Sequence, residues 1–224
     1  MQERALDVGG HPGLLVRPRG ARALYVFAHG AGAGMRHPFM AGVAQALAVH
    51  AIATLRWEFP YMAAGKRRVD PAPVAEAAVR EVWRAAATRF RGLPRFAGGK
   101  SFGGRMTSRA HAADPLADLR GLVFLGFPLH PAGKPGPEKE RAEFISARAA
   151  DRAEHLPHAA GPMLFVQGSR DALAELSLLR PVVRSFGRRA TLHVVEGADH
   201  GFSARLIPEL ARVIAEWIDA VLDT

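Results

Sequence analysis

A serine flanked by glycines is the first feature of this sequence that could do chemistry. Gly99, Ser101 and Gly103 form the pattern G-x-S-x-G, after a short apolar run and before a helix-like segment. A serine on a sharp turn from strand to helix projects its hydroxyl, and the two glycines leave room for the strained backbone. The pattern predicts a nucleophilic serine, with a purely structural glycine-rich turn as the alternative.

The same stretch also resembles the end of a phosphate-binding loop. Gly99, Lys100 and Ser101 match the last three positions of G-x-x-x-x-G-K-[ST], whose first glycine would fall at position 94. That position is Pro94, so the phosphate-loop interpretation fails at its first residue.

A nucleophilic serine needs a base within hydrogen-bond reach and a third group that orients the base. When such a serine stands on a strand-to-helix turn, the chain order is Ser, then Asp or Glu, then His. Asp171 follows the apolar run 164–166, and His200 follows the apolar run 192–195. Both therefore stand at the carboxyl ends of late predicted strands, where open α/β sheets bind their ligands. The order predicts Ser101 as nucleophile, His200 as base and Asp171 as orienting acid.

Two other residues compete for these roles. Asp199 is next to His200, but adjacent side chains usually diverge, so Asp171 is the preferred acid. His29 also stands at a predicted strand end, but it precedes Ser101 and is expected to shape a loop.

Acyl transfer also needs hydrogen-bond donors for the developing oxyanion. The backbone N–H of Phe102, directly after the serine, is the first expected donor. The second is the N–H of Ala31, in the glycine-rich loop 29–35, where missing side chains allow a close approach to the substrate. A flexible glycine turn is the alternative for that loop.

Four aromatic residues flank predicted strand ends and are expected to line an acyl pocket, although plain core packing would place them there equally well. They are Phe59, Tyr61, Phe127 and Phe202.

Short apolar runs alternate with helix-length segments along most of the chain, and this order predicts a doubly wound, mostly parallel α/β sheet. The predicted strands cover residues 24–28, 51–57, 96–98, 122–125, 164–166 and 192–195. The predicted helices cover residues 39–49, 74–90, 102–112, 138–156, 172–186 and 208–222. The first 17 residues are expected to form a short antiparallel hairpin at the sheet edge.

The length of 224 residues suits one domain, 1–224, with a sizeable core. The charged segment 138–156 is expected to be a small lid or an inserted helix in an otherwise compact fold.

Composition excludes several classes of protein and site. The chain has no cysteine, which excludes disulfides and thiolate metal sites, and no histidine or carboxylate cluster has metal-ligand spacing. We therefore expect neither a metal nor a cofactor. The net charge of +9 comes mainly from scattered arginines rather than a basic cluster, so no nucleic-acid partner is expected. No signal peptide or membrane-spanning stretch is evident, so the expected location is cytoplasmic.

Six stretches of the sequence together resemble a known family, the dienelactone-hydrolase-related α/β-hydrolases. The resemblance is closest to the predicted hydrolases that include a testis-expressed α/β-hydrolase-like protein and many bacterial members. The stretches are AHGAGAGMRHPFM, LRWEFPYM, GGKSFGGRM, GFPLHPAGKP, LFVQGSRDAL and GADHGF. The resemblance implies an α/β-hydrolase core with Ser101, Asp171 and His200 as triad and Ala31 and Phe102 as oxyanion donors. Two features depart from it: dienelactone hydrolases proper resemble Cys enzymes, and the segment 141–152 is long for the family.

These observations predict a serine hydrolase that cleaves an ester or related acyl bond of a small molecule. Thioester and amide bonds stay open, because one triad serves all of these reactions. The alternative from another class is a catalytically silent α/β-hydrolase fold that acts as a binding or scaffolding module. The sequence does not predict an oligomeric state.

Overall fold

Eight strands form one sheet in the computed structural model, which describes residues 1–131 and 148–224. The strands are β1 (Glu3–Asp7), β2 (Pro12–Val16), β3 (Ala23–Ala28), β4 (Ile52–Trp57), β5 (Arg95–Lys100), β6 (Leu119–Leu125), β7 (Met163–Gly168) and β8 (Ala190–Val195). Their order in the sheet is β1-β2-β4-β3-β5-β6-β7-β8. The pairs β1–β2 and β2–β4 are antiparallel, and the other five pairs are parallel. The predicted doubly wound sheet and its N-terminal hairpin are confirmed.

Helices cover both faces of the sheet. They are α1 (Pro38–Val49), α2 (Pro60–Ala63), α3 (Ala72–Arg89), α4 (Phe102–Ala113), α5 (described over residues 148–153), α6 (Leu176–Ser185) and α7 (Ile207–Leu222). Proline occupies one of the first two helical positions in α1, α2 and α7. Its fixed φ suits a helix start, and its missing N–H would have no intrahelical partner there.

The side chains of β3 show how one sheet supplies two cores. Leu24 and Val26 join the core under α3 and α4, whereas Tyr25 and Phe27 join the core under α1 and α7. All six residues of β3 are buried. Strands covered on both faces are apolar throughout, which is why the sequence shows continuous apolar runs instead of alternation.

The strand order reverses at β3, and this reversal positions the candidate site. β3 pairs with β4 on one side and with β5 on the other, so the loops after β3 and β5 diverge from neighbouring strand ends. Open α/β sheets bind ligands in the crevice at such a reversal. The loop 29–35 and the turn at Ser101 lie at this crevice.

Two predicted helices differ from the structure. α6 begins at Leu176 rather than at residue 172, because the chain turns after Asp171, whose Oδ1 accepts the Leu173 N–H at 2.8 Å. Of the expected lid, residues 138–147 lie outside the described residues, while 148–153 are helical and Leu156–His158 form a 3-10 turn. Within the described ranges, no helix has the length and apolarity needed to cross a membrane.

Candidate active site

Ser101 stands on the sharp turn between β5 and α4, as its motif predicts. Its backbone has φ 50° and ψ −118°, a conformation that costs a non-glycine residue about 1–3 kcal/mol. A methyl group at Gly99 would lie 2.3 Å from the carbonyl oxygen of Ala28, and one at Gly103 would lie 2.5 Å from that of His29. Both glycines are therefore needed because the turn packs directly against the end of β3.

The structure brings the three predicted triad residues into contact. His200 Nε2 lies 2.8 Å from Ser101 Oγ, and His200 Nδ1 lies 2.8 Å and 3.0 Å from the two carboxylate oxygens of Asp171. An ionised carboxylate can only accept hydrogen bonds, so Nδ1–H is the donor in this pair. Nε2 is then left without a hydrogen, in position to accept the proton of the Ser101 hydroxyl.

The Asp171 side chain is fully buried and has partners besides His200. The Leu173 N–H donates to Oδ1, and the Gln167 Nε2 donates to Oδ2. The amide oxygen of Gln167 accepts the Phe127 N–H at 2.9 Å, which fixes its NH2 group toward Asp171. These hydrogen bonds hold the buried carboxylate in place against His200.

The competing residues have other partners. Asp199 Oδ1 accepts the N–H groups of Gly201 and Phe202 at 2.9 Å and 3.2 Å, so this carboxylate closes the turn that carries His200. His29 is completely buried, and its two ring nitrogens contact the Gly30 carbonyl and the Phe59 N–H, so that it holds the loop after β3.

The two expected oxyanion donors are free. Among the described residues, neither the Ala31 N–H nor the Phe102 N–H has a hydrogen-bond acceptor. Phe102 is the first residue of α4, so its N–H also carries part of the positive end of the helix dipole.

Hydrogen bonds on the far side of the loop 29–35 hold the Ala31 amide in place. The Phe59 N–H donates to His29 Nε2 at 3.1 Å, and a carboxylate oxygen of Glu58 lies 3.3 Å from the same nitrogen. Nδ1–H donates to the Gly30 carbonyl at 2.8 Å. That carbonyl shares a peptide plane with the Ala31 N–H, which points in the opposite direction. Fixing one end of the peptide unit fixes the other.

A small cavity opens beside Ser101, with a volume of about 180 Å³. Its lining is mostly apolar and comes from the loop after β3, the start of α1, the serine turn and the loop after β8. The lining residues are Gly30, Ala31, Ala33, His37, Phe39, Met40, Lys100, Ser101, His200 and Gly201.

None of the four predicted pocket aromatics belongs to this lining, and each is instead buried in the core. Phe59 packs against Trp57 and Phe102, and Phe127 packs against Phe124 and Phe165. The ring of Tyr61 lies 5.9 Å from the ring of His29, and its hydroxyl accepts the Gly32 N–H at 3.3 Å. Phe202 stacks on Phe39 from behind the cavity. Residues at strand ends place their side chains either in a cleft or in the core, and these four lie in the core.

Sequence reasoning missed three contributions to the site. The apolar lining from Phe39 and Met40 lies at the start of α1, and Gln167 supports Asp171 from the end of β7. The third is Lys100, whose ammonium is buried and has no hydrogen-bond partner. Burial lowers the pKa of Lys100 to about 8, although Asp171 and Asp199 act to raise it. Its position inside the G-x-S-x-G motif was the available signal.

The side chains of the described residues do not indicate a metal site. In residues 1–131 and 148–224, no three His, Cys, Asp or Glu side chains are grouped so that they could hold an ion.

Comparison with known proteins agrees with the fold described above. The chain is similar to a dienelactone hydrolase from Anabaena variabilis, with 21% identity, a TM-score of 0.76 and coverage of 98% of this chain and 97% of that one. It is also similar to an α/β serine hydrolase without lid from Xanthomonas campestris, at 17% identity, TM-score 0.70 and coverage of 97% and 95%. An esterase domain from a Rhodothermus marinus protein has 15% identity and a TM-score of 0.71, over 97% and 98% of the two chains. These likenesses show the fold.

The family model for the alpha/beta hydrolase domain matches residues 21–220, which is most of the sequence. The chain therefore belongs to the alpha/beta hydrolase domain family.

Proposed function

We propose that this protein is a serine hydrolase that cleaves an ester or related acyl bond of a small molecule through an acyl-enzyme. The observation that carries the proposal is the chain of contacts from Ser101 to His200 to Asp171 beside two unpaired backbone amides. The catalytic unit would be a single domain, since the site draws on loops after β3, β5, β7 and β8.

In this mechanism Ser101 Oγ attacks the acyl carbon while its proton passes to His200 Nε2. The N–H groups of Ala31 and Phe102 bind the oxyanion of the tetrahedral intermediate. The C–O bond to the leaving alcohol then breaks, and the alcohol oxygen takes the proton from Nε2. Water repeats the sequence on the acyl-enzyme, with His200 again as base, and releases the acid. Asp171 holds the ring and stabilises the imidazolium at each step.

The cavity sets the expected size of the acyl group. The cavity is small, at about 180 Å³, and therefore favours a short acyl chain over a long one. Phe39 and Met40 make the inner lining apolar, which suits an uncharged acyl chain. We therefore propose short-chain acyl esters as the preferred class.

The test is turnover of a series of p-nitrophenyl esters from acetate to decanoate, with a butyryl thioester and a butyryl anilide as alternative bonds. We expect the acetate to hexanoate esters to react faster than the decanoate, and the Ser101→Ala variant to be inactive on all of them. Folded wild-type protein that turns over none of these compounds would favour the silent binding module. Undiminished turnover by folded Ser101→Ala would refute the assignment of the nucleophile.

A further inference from the structure

Lys100 is a buried cation that the proposed mechanism does not use. The residue is 9% exposed, and its ammonium nitrogen has neither solvent access nor a hydrogen-bond acceptor among the described residues. Burying an unpaired charge costs several kcal/mol, whereas Met or Leu would fill the same space without that cost. The retained charge therefore needs an explanation other than packing.

The surroundings of Nζ place it beside the Asp171–His200 pair. A methyl group at Gly126 would lie 2.9 Å from Lys100 Nζ, 3.4 Å from Asp171 Oδ2 and 3.4 Å from His200 Cε1. The three groups thus surround one small space next to Gly126. On another side, Nζ lies 5.4 Å from the ring centroid of Phe202, a favourable contact for a cation.

The charged groups around Lys100 come from three loops. Asp171 is contributed by the loop after β7, and Asp199 and His200 are contributed by the loop after β8. His37, from the loop after β3, shares the lining of the cavity. Neither carboxylate makes a salt bridge with Lys100, so its positive charge acts on the pair through space rather than through a hydrogen bond.

We propose that Lys100 is a positioning residue: its ammonium, next to Asp171 and His200, opposes the build-up of a second positive charge on the His200 ring, so that Ser101 stays reactive in weakly acidic solution. This inference rests on the proposed function, because it assigns His200 as the base. It gives the unpartnered lysine inside the serine motif a role in the same reaction.

Coulomb's law gives the direction in which the charge of Lys100 acts on the His200 ring. A positive charge near His200 opposes a second positive charge on its ring, and removing the first makes protonation of the ring easier. Across a few ångströms of partly screened protein interior, this repulsion is expected to displace the acidic limb of the activity profile by about 1 pH unit. Lys100 is itself protonated at the acidic pH values that matter, since its own pKa is about 8.

The experiment measures the rate of fluorophosphonate labelling at Ser101 from pH 4.5 to pH 9, which needs no known substrate. The variants are Lys100→Met and Lys100→Gln, which remove the charge, and Lys100→Arg, which keeps it. Lys66→Met is the matched control, because it removes the charge of an exposed lysine outside the site. Two neutral variants are included so that the test survives if one of them fails to fold.

We expect the acidic limb of the labelling profile to move up by about 1 pH unit in the neutral variants. Below the limb they should react about tenfold more slowly than wild type, and the difference should disappear on the plateau above the limb. Lys100→Arg and Lys66→Met should keep the wild-type limb. A loss by one constant factor at every pH would assign Lys100 a structural role and overturn the inference.

Failure of this inference is distinguishable from failure of the proposed function. If folded wild-type protein is not labelled at Ser101 at any pH, the proposed function fails. If the wild type is labelled and the neutral variants share its acidic limb, only the role of Lys100 is refuted.

Discussion

Two serine–histidine contacts in the described part of the chain have nearly the same length and very different surroundings. In the elbow pair, Ser101 Oγ lies 2.8 Å from His200 Nε2, and in the helix pair, Ser108 Oγ lies 2.7 Å from His155 Nε2. The two serines are close together in sequence: Ser101 directly precedes α4, and Ser108 lies in the middle of that helix. The contact distance alone therefore does not distinguish a reactive site from a structural hydrogen bond.

The direction of the hydrogen bond separates the two pairs. The Ser108 hydroxyl donates to the Arg105 carbonyl at 3.0 Å, so its oxygen accepts a hydrogen from His155 Nε2. His155 Nδ1 is buried without a partner, and among the residues that the structure describes no carboxylate orients the ring. In the elbow pair, Asp171 holds the hydrogen on the far nitrogen of His200, which leaves Nε2 free to take a proton.

Solvent access to the serine and the electrostatic surroundings of the histidine also distinguish the elbow pair from the helix pair. Ser108 is fully buried in the body of the helix, whereas Ser101 stands at a strained turn that lines a cavity. Burial, together with the nearby positive charges of Arg105 and Arg109, lowers the pKa of His155 to about 3. The helix pair is thus a neutral internal contact. A reactive pair needs a third group, an exposed hydroxyl and donors for the oxyanion.

Replacing each histidine in the same way should give the largest contrast. His200→Gln removes the base and should lower kcat/KM by about 10⁴- to 10⁶-fold, as in other hydrolases that act through a triad. His155→Gln keeps a donor for Ser108 and should leave kcat/KM within about threefold, because the helix pair does no chemistry. The measurement is kcat/KM on the best p-nitrophenyl ester, with thermal unfolding to confirm that both variants fold. Comparable losses in the two folded variants would remove the distinction between the pairs.

Substitution of the orienting acid should have the next largest effect. Asp171→Asn places an amide NH2 against His200 Nδ1 and reverses its tautomer, so kcat should fall by about 10⁴-fold. Asp199→Asn is the matched control, since an Asn oxygen can still accept the N–H groups of Gly201 and Phe202, and we expect only a small change. A larger loss in Asp199→Asn than in Asp171→Asn would reassign the acid.

The helix pair should instead affect stability at acidic pH. Because the folded-state pKa of His155, about 3, lies below its unfolded value of about 6.5, the unfolded chain binds an extra proton between these values. The stability contributed by neutral His155 is therefore present above pH 6.5 and is lost as the pH falls toward 3. Between pH 7 and pH 4 this loss should be about 3 kcal/mol. Urea unfolding of wild type and His155→Gln measures it, and equal pH slopes in the two proteins would contradict it.

Most of the fold and the polar part of the site could be predicted from the sequence because their signals are local. The apolar runs mark strands such as β3 and β7, and the two glycines around Ser101 are required by its close approach to Ala28 and His29. The order of strand ends then placed Asp171 and His200 in the same crevice.

The pocket could not be predicted in the same way, because it depends on where side chains point. Phe59 and Phe127 follow strand ends and turn into the core, whereas Phe39 and Met40 reach the cavity from a helix. The late start of α6 has a similar cause, since the carboxylate of Asp171 takes a backbone N–H that a helix would otherwise use. These outcomes are set by tertiary packing rather than by local pattern.

The central claim is that only the elbow pair contains an activated serine, and covalent labelling tests it most directly. The purified wild type, Ser101→Ala and Ser108→Ala proteins would be treated with a fluorophosphonate, and the adduct located by mass spectrometry. We predict one adduct, on Ser101, in the wild type and in Ser108→Ala, and none in Ser101→Ala. An adduct on Ser108, or undiminished labelling of Ser101→Ala, would contradict the account.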